Sequence, residues 1–134
     1  MPDPKTLYLV DGSGYIFRAF YAIRPLSTSK GVPTNAVTGF ARMLGRLLKE
    51  EKPEFLGIAF DTPERTFRHE IFAEYKANRE EAPEEFKAQI PLVFRLVEAY
   101  RIPLFAEQGY EADDIIATVT SRIMERHPDV EVLI

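Results

Sequence analysis

Residues 7–14 read Leu-Tyr-Leu-Val-Asp-Gly-Ser-Gly, an apolar run that ends on an acid and a glycine-rich turn. An apolar run this short, bounded by a turn, is typical of a β-strand buried on both faces. Phe55–Phe60 is a second such run, and it leads directly into Asp61. The sequence therefore predicts two buried strands, each followed by an aspartate: Asp11 after the first and Asp61 after the second.

Two helices are predicted between these strands. Tyr15–Ala22 is rich in aromatic residues, and Ser13 is the candidate N-cap of that helix. The second helix takes Thr34 or Asn35 as its N-cap, and its apolar residues recur at helical spacing: Val37, Phe40, Ala41, Leu44, Leu47 and Leu48. A strand, a crossover helix and a second strand make a right-handed parallel unit, so both strands should end at the same edge of one sheet. The two aspartates are therefore predicted neighbours.

The second half of the chain continues the alternation of helices and strands. Pro83 suits the first position of a helix that extends to Arg101, and Pro91 is predicted to kink that helix. We then expect three further elements: a strand at Ile102–Ala106, a helix from Ala112 to about Arg126, and a strand at Val130–Ile134. The predicted fold class is α/β, with a central, mostly parallel sheet flanked by helices.

A third group of acids stands where the predicted third strand leads into the next helix. Glu111, Asp113 and Asp114 fall within four residues. With Asp11 and Asp61 they would lie beyond the carboxyl ends of the strands, where open parallel sheets bind ligands. Five carboxylates brought together repel one another unless cations neutralise them. Oxygen ligands without histidine or cysteine favour Mg²⁺ or Mn²⁺ over zinc, and paired ions of this kind support the attack of water on a phosphodiester.

A simpler interpretation is that each acid only caps a helix or a turn. That interpretation is preferable for any one acid taken alone. The presence of three acid-bearing sites on one predicted edge favours metal binding instead. We expect Glu111 at or before the N-cap of its helix, since otherwise Asp113 would point away from the face that Glu111 and Asp114 share.

A basic segment lies between the second strand and Pro83. Residues 62–82 have an uneven apolar pattern, which indicates a projecting, partly helical excursion. The segment interleaves cationic and aromatic side chains: Arg65, Arg68, Lys76 and Arg79 with Phe67, Phe72 and Tyr75. Such residues hold phosphates and stack on bases, although a solvated charged face has the same composition. Arg18, on the helix that begins beside Asp11, is a similar candidate.

The composition limits the class of protein. A chain of 134 residues with 28% charged residues and no cysteine fits one soluble domain, and it excludes a disulfide scaffold and thiolate zinc sites. The sequence has no apolar signal segment and no run long enough to span a bilayer, so we expect a cytoplasmic protein with no membrane partner. The net charge of −4 argues against a protein that coats nucleic acid non-specifically.

Four motifs occur in a recognisable order: Leu9–Ser13, Phe60–Glu70, Glu74–Arg79 and Gly109–Asp114. Together they resemble the 5′→3′ exonuclease domain of bacterial DNA polymerase I, a member of the flap endonuclease family with a PIN-like fold. The resemblance covers essentially the whole chain. It implies a nuclease of DNA replication and repair that cuts 5′ flaps and removes 5′ nucleotides from duplex ends with two divalent ions, Mg²⁺ or Mn²⁺.

The resemblance also implies roles for individual residues. The positions that match the metal-binding acids of the family are Asp11, Asp61, Glu111, Asp113 and Asp114. Lys76 and Arg79 match residues that contact the scissile phosphate, and Tyr75 matches a tyrosine that stacks on a terminal base. Arg18 and Arg68 match basic positions that contact DNA phosphates.

The family pattern continues beyond Ile134. A Thr-Gly-Asp-Lys-Asp-like segment that completes the metal cluster, and a helix-hairpin-helix region that grips duplex DNA, would follow the strand at Val130. We therefore expect residues 1–134 to be the truncated N-terminal part of this domain, with little nuclease activity alone. In the full-length protein, a covalently linked polymerase domain would follow.

Three alternatives stay open at this point. One is a stand-alone flap exonuclease that has no polymerase domain. Another is a non-catalytic DNA-binding PIN-like module, which would be marked by the loss of several acids, whereas all five are present. The third is a phosphatase or phosphotransferase with an aspartyl nucleophile, but such a site has a second aspartate two residues after the first, where Ser13 stands here.

Overall fold

The computed structural model describes residues 5–62 and 82–134. Nine helices and strands lie within these two ranges, in the order β1 (Thr6–Asp11), α1 (Gly12–Ala22), α2 (Asn35–Glu50), β2 (Phe55–Ala59), α3 (Glu84–Lys87), α4 (Ile90–Ala99), β3 (Leu104–Phe105), α5 (Ala112–Arg126) and β4 (Glu131–Leu133). None of the helices in these ranges combines the length and the hydropathy needed to cross a membrane.

The four described strands form one parallel sheet in the order β3-β2-β1-β4. In the central pair, Leu9 of β1 lies opposite Gly57 of β2, and Asp11 lies opposite Ala59. The sheet confirms the predicted α/β fold. Because β1 and β2 are parallel and in this register, Asp11 at the end of β1 and Asp61 after β2 lie at the same edge.

Helices cover both faces of the sheet. Successive residues of a strand point to opposite faces, so Ile58 packs into a cluster with α1, α2 and α4, whereas Ala59 packs into a second cluster with α5. The fully or almost fully buried members of the first cluster are Ile16, Ala36, Phe40, Leu44, Ile58, Phe60, Val93 and Val97. Burying a Leu, Ile or Phe side chain stabilises a protein by about 1.5–3 kcal/mol, so this cluster is the main core.

The helix predicted from Pro83 to Arg101 is two helices, and the kink predicted at Pro91 is wrong. The first helix, α3, ends at Lys87, and α4 begins at Ile90. Pro91 lies in the first turn of α4, where a backbone N–H has no helical partner to lose. Pro83 is the N-cap of α3 rather than its first residue.

Other boundaries agree with the prediction to different degrees. Helix α5 spans the predicted range, and Ile116 is buried as expected. The third and fourth strands are shorter than predicted, at two and three residues. Ser13 is not the N-cap of α1, because Asp11 occupies that position and its carboxylate accepts a hydrogen bond from Gly14 N–H.

Candidate active site

The three acid-bearing segments meet at the carboxyl edge of the sheet. Ser13 Oγ, in the first turn of α1, accepts a hydrogen bond of 2.8 Å from Asp61 N–H. In turn, Asp61 Oδ1 accepts a hydrogen bond of 2.6 Å from Ala112 N–H at the start of α5. These two contacts join the end of β2 to the start of both helices. The prediction that Asp11 and Asp61 belong to one edge is confirmed.

The turn after β1 leaves little freedom at either glycine. Asp11 Oδ1 accepts from Gly14 N–H at 3.1 Å, and a Cβ added to Gly14 would lie 2.8 Å from Asp11 Oδ2. A Cβ added to Gly12 would lie 2.6 Å from Cζ of Phe60 and 2.8 Å from Cγ2 of Ile58. The turn therefore holds the Asp11 carboxylate against the backbone while α1 packs directly on the sheet.

Glu111 is the N-cap of α5, as predicted, with an extended backbone at φ −89° and ψ 162°. Asp114 Oδ2 accepts a hydrogen bond of 2.9 Å from Glu111 N–H. Both residues are half-buried, whereas Asp113 is exposed. Of the three acids in this segment, Asp113 is therefore the most open to a ligand from solvent.

Four of the five acids have a structural role as hydrogen-bond acceptors at helix starts, since Glu111 and Asp114 form a capping box in which the Glu111 side chain accepts from Asp114 N–H. Asp11, Asp61 and Asp114 each use one carboxylate oxygen to accept from a backbone N–H. Such bonds satisfy amides that the first turn of a helix leaves unpaired, and negative charge there offsets the helix dipole. The capping interpretation and the metal interpretation therefore apply to the same side chains.

The donor set matches a hard divalent cation, because all five side chains supply carboxylate oxygen. Within residues 5–62 and 82–134, however, no three acidic or histidine side chains are close enough to form a closed metal cage. The described acids converge on one edge through backbone contacts. Their chemistry fits Mg²⁺ or Mn²⁺, while their arrangement is that of an open edge.

Arg18 lies on the exposed side of α1, and its guanidinium sits 4.6 Å above the centre of the Tyr15 ring. A cation–π contact of this kind fixes the direction of a long side chain while its charge stays accessible. Arg18 and Asp11 both line an open groove of about 640 Å³ between α2 and β1. The structure thus places one predicted DNA-binding arginine beside the acidic edge.

The other predicted DNA-contacting and catalytic residues lie outside the described parts of the chain. They are Arg68, Tyr75, Lys76 and Arg79. Their assignments stay predictions from the sequence.

Sequence reasoning missed the role of Ser13 at this edge. It assigned the hydroxyl to its own helix, whereas the hydroxyl binds an amide 48 residues away. The available signal was a hydroxyl side chain two residues after a strand-terminal acid, together with the prediction that the neighbouring strand also ends at this edge.

Known proteins match almost the whole length of this chain. Residues 6–134 match the family model described as 5′-3′ exonuclease, N-terminal resolvase-like domain. A 5′-3′ exonuclease of Aquifex aeolicus is 48% identical over 122 residues, which are 91% of this chain and 42% of that protein. A DNA polymerase I of Bacillus caldotenax is 46% identical over 129 residues, which are 96% of this chain and 15% of that protein. The chain thus spans less than half the length of either relative.

Two solved structures share the fold. T5 5′-exonuclease with bound divalent zinc ions superposes with a TM-score of 0.71 at 23% identity, covering 95% of this chain and 48% of that one. A bacteriophage T5 D15 flap endonuclease variant, in a complex with DNA and metal ions, gives a TM-score of 0.68 at 22% identity and covers 95% of this chain and 47% of that one. The two TM-scores show that this chain shares its fold, here the PIN-like fold, with both proteins. At identities this low, the likeness shows the fold alone.

Proposed function

The chain belongs to the family of 5′-3′ exonuclease N-terminal resolvase-like domains, and on that premise we propose that the protein is a metal-dependent 5′→3′ exonuclease and structure-specific 5′ flap endonuclease. The observation that carries this proposal is the hydrogen-bonded junction of three acid-bearing segments at one sheet edge. Phosphodiester hydrolysis at such an edge needs a cation site and a path for the DNA backbone. The sequence offers both.

The residues proposed to hold the cations are Asp11, Asp61, Glu111, Asp113 and Asp114. The proposed cofactor is Mg²⁺ or Mn²⁺, with two ions in the complete domain. When bound, such ions supply an activated water and neutralise charge at the leaving oxygen. The chain itself fixes the acids: Gly14 N–H orients Asp11, and Ala112 N–H orients Asp61.

The proposed DNA contacts come from Arg18 of α1 and from residues 63–81. Arg18, held over Tyr15, would bind a backbone phosphate from the α1 side. Lys76 and Arg79 are proposed to contact the scissile phosphate, since cationic donors there stabilise charge that develops during cleavage. Arg68 is proposed as a second phosphate contact, and Tyr75 as the surface on which a terminal base stacks.

The names of the relatives support a proposal for the partner and the setting. One structural neighbour is described in a complex with DNA, and several relatives are bacterial proteins named DNA polymerase I. We therefore propose that the substrate is DNA with a 5′ flap, a nick or a 5′ duplex end. We further propose that residues 1–134 form the N-terminal part of the nuclease domain of a DNA polymerase I that acts in the cytoplasm during replication and repair.

A non-catalytic DNA-binding module is the second candidate. The capping bonds to Asp11, Asp61, Glu111 and Asp114 favour it, because they explain four of the acids without a cation. The two candidates differ in one measurable property, since only the nuclease requires a divalent ion to break DNA.

The test is cleavage of a 5′-labelled flap by the full-length protein, with and without Mg²⁺. Asp11→Asn and Asp113→Asn should each slow cleavage by more than about 100-fold, because metal-ion catalysis contributes several kcal/mol to the barrier. The control is Asp129→Asn, an exposed acid beyond the far end of α5. Cleavage that survives both substitutions, or that needs no divalent ion, would contradict the proposal.

A further inference from the structure

Gln89, between α3 and α4, is a fully buried polar residue with 0% exposure. Its Oε1 accepts hydrogen bonds from Ala36 N–H at 2.7 Å and from Val37 N–H at 3.0 Å. Its Nε2 donates to Asn35 Oδ1 at 2.8 Å and to Glu85 O at 3.0 Å. The side-chain amide thus uses all four of its hydrogen-bonding positions.

Asn35 continues this network towards α1. Its Nδ2 donates to Phe20 O at 2.9 Å and to Ile23 O at 3.1 Å, which are carbonyls at the C-terminal end of α1. Asn35 is 3% exposed, and both bonds are partly buried. The two side chains, which we call the amide node, therefore join the end of α1, the start of α2 and the backbone of α3.

The amide node replaces an N-cap that the local sequence does not provide. Thr34 is the N-cap residue of α2, but its side chain makes no capping hydrogen bond. Two N–H groups of the first turn, those of Ala36 and Val37, are instead satisfied by Gln89, more than 50 residues later in the chain. Buried N–H groups left unpaired are costly, so the start of α2 depends on the position of Gln89.

Aromatic packing reinforces the same junction. Phe86 of α3 meets Phe20 of α1 edge to face, with ring centres 5.5 Å apart, and meets Phe17 at 6.3 Å. Helix α3 has only four residues, none of them fully buried, and Phe86 is its contact with the main core. Its position is set by α1 through these rings and by the amide node.

We propose that Gln89 and Asn35 are positioning residues for the proposed cleavage reaction. They hold α3, the first helix after residues 63–81, against α1, the helix that begins at Asp11. One end of α1 lies at the acidic edge. The other end holds α3 through the amide node, and α3 is the first described helix after residues 63–81, which include Lys76 and Arg79. The inference rests on the proposed function, and neither amide touches the acidic edge.

The test compares Gln89→Met with Val93→Ala in the full-length protein. Both positions are fully buried and one turn apart, but only Gln89 contacts α2 and α3 through hydrogen bonds. At temperatures well below both melting points, Gln89→Met should slow single-turnover flap cleavage by about 100-fold more than Val93→Ala, since a misplacement of about 1 Å has an effect of this size. Mn²⁺ affinity should be unchanged.

The proposal would be overturned if the cleavage rates of both variants fell in proportion to their loss of melting temperature, with no additional loss in Gln89→Met. A fall in Mn²⁺ affinity would overturn it as well, because the node would then support the acids rather than α3. If Gln89→Met does not fold, Asn35→Ala takes its place, because it removes the bonds to α1 and leaves those that Gln89 Oε1 accepts from Ala36 N–H and Val37 N–H.

A distance measurement tests the node without reference to activity. Residues 1–134 contain no native cysteine, so once any cysteine beyond Ile134 is replaced, spin labels can be placed in the full-length protein at Glu84→Cys in α3 and Lys49→Cys in α2, both exposed positions. Pulsed electron resonance should give one narrow distance in the parent and in Val93→Ala, and a broad or shifted one in Gln89→Met. An unchanged narrow distance would refute the node. Absence of flap cleavage by the parent protein, with this broadening observed, would instead refute the proposed function alone.

Discussion

Asp61 and Ala112 are joined by a 2.6 Å hydrogen bond from the Ala112 N–H to Asp61 Oδ1. An acid placed at the end of β2 thereby caps α5, which begins 51 residues later. The same side chain is a proposed metal ligand. Substitutions at the acidic edge must therefore separate the loss of a cap from the loss of a cation site.

Two substitutions of Asp61 make that separation. Asp61→Ala should lower the free energy of unfolding by about 1 kcal/mol, because it removes the acceptor of a helix-start amide. Asp61→Asn keeps an acceptor oxygen and should have a smaller effect. Urea unfolding followed by circular dichroism measures both, and flap cleavage should be lost in both. Equal destabilisation by the two variants would show that the hydrogen bond to Ala112 is not a cap.

Substitution by alanine should have opposite effects on stability at Gly12 and at Gly45. Gly12→Ala should lower the free energy of unfolding by about 1–3 kcal/mol, since the added Cβ would press on the Phe60 ring in a packed core. Gly45→Ala has nothing within 4 Å of the new Cβ, and it should raise the free energy of unfolding by about 0.5–1 kcal/mol through helix propensity. Urea midpoints that shift in the same direction would contradict this account of the two sites.

The Tyr8 phenol should lose its proton at a higher pH than an ordinary tyrosine. Partial burial, and then its hydrogen bond to Glu51 Oε2 at 3.2 Å, raise the pKa of the Tyr8 phenol above its ordinary value of 10.0. A pKa that is higher in the folded state means that the contribution of Tyr8 to stability is complete below pH 10 and is lost as the pH rises through the raised pKa.

Absorbance of tyrosinate at about 295 nm, compared between the parent and Tyr8→Phe, measures this titration. Glu51→Gln should move the Tyr8 pKa back towards 10.0, because it removes the neighbouring negative charge. If Tyr8 titrated at its ordinary pKa in the parent, the contact with Glu51 would have no energetic effect.

Lys76→Ala should slow flap cleavage much more than it weakens DNA binding, because its proposed interaction strengthens in the transition state. Single-turnover rates and DNA dissociation constants, measured on the same flap, give the two effects. Lys49→Ala, at the exposed end of α2, is the matched control and should alter neither. Losses of equal size for Lys76→Ala would indicate a simple phosphate contact.

The parallel arrangement of β1 and β2 could be predicted because the residues that determine it are close together in the sequence. Two apolar runs that end in Asp11 and Asp61, with helices between them, suffice to predict parallel strands and a shared edge. The N-cap at Glu111 and the extent of α5 were equally accessible, since an acid-rich start and a His127-Pro128 stop lie next to the apolar pattern.

The remaining features depend on partners distant in the sequence. Ser13 and Gln89 both form hydrogen bonds with residues about 50 positions away, and no periodicity identifies such pairs. The apolar pattern continues across Pro91 and therefore predicts one helix, whereas Pro91 has no N–H to donate to the Lys87 carbonyl, so α3 ends at Lys87 and Pro91 lies in the first turn of α4. Local patterns predicted the elements, and tertiary contacts decided their ends.

Binding of Mn²⁺ to the acidic edge can be followed by paramagnetic broadening of backbone amide signals. If the acids form a metal site, the amides of Ser13, Asp61 and Ala112 should broaden selectively, and the broadening should be retained in Asp129→Asn and lost in both Asp11→Asn and Asp113→Asn. Broadening that is absent, spread over all exposed acids, or unchanged by those two substitutions would contradict a metal site at this edge.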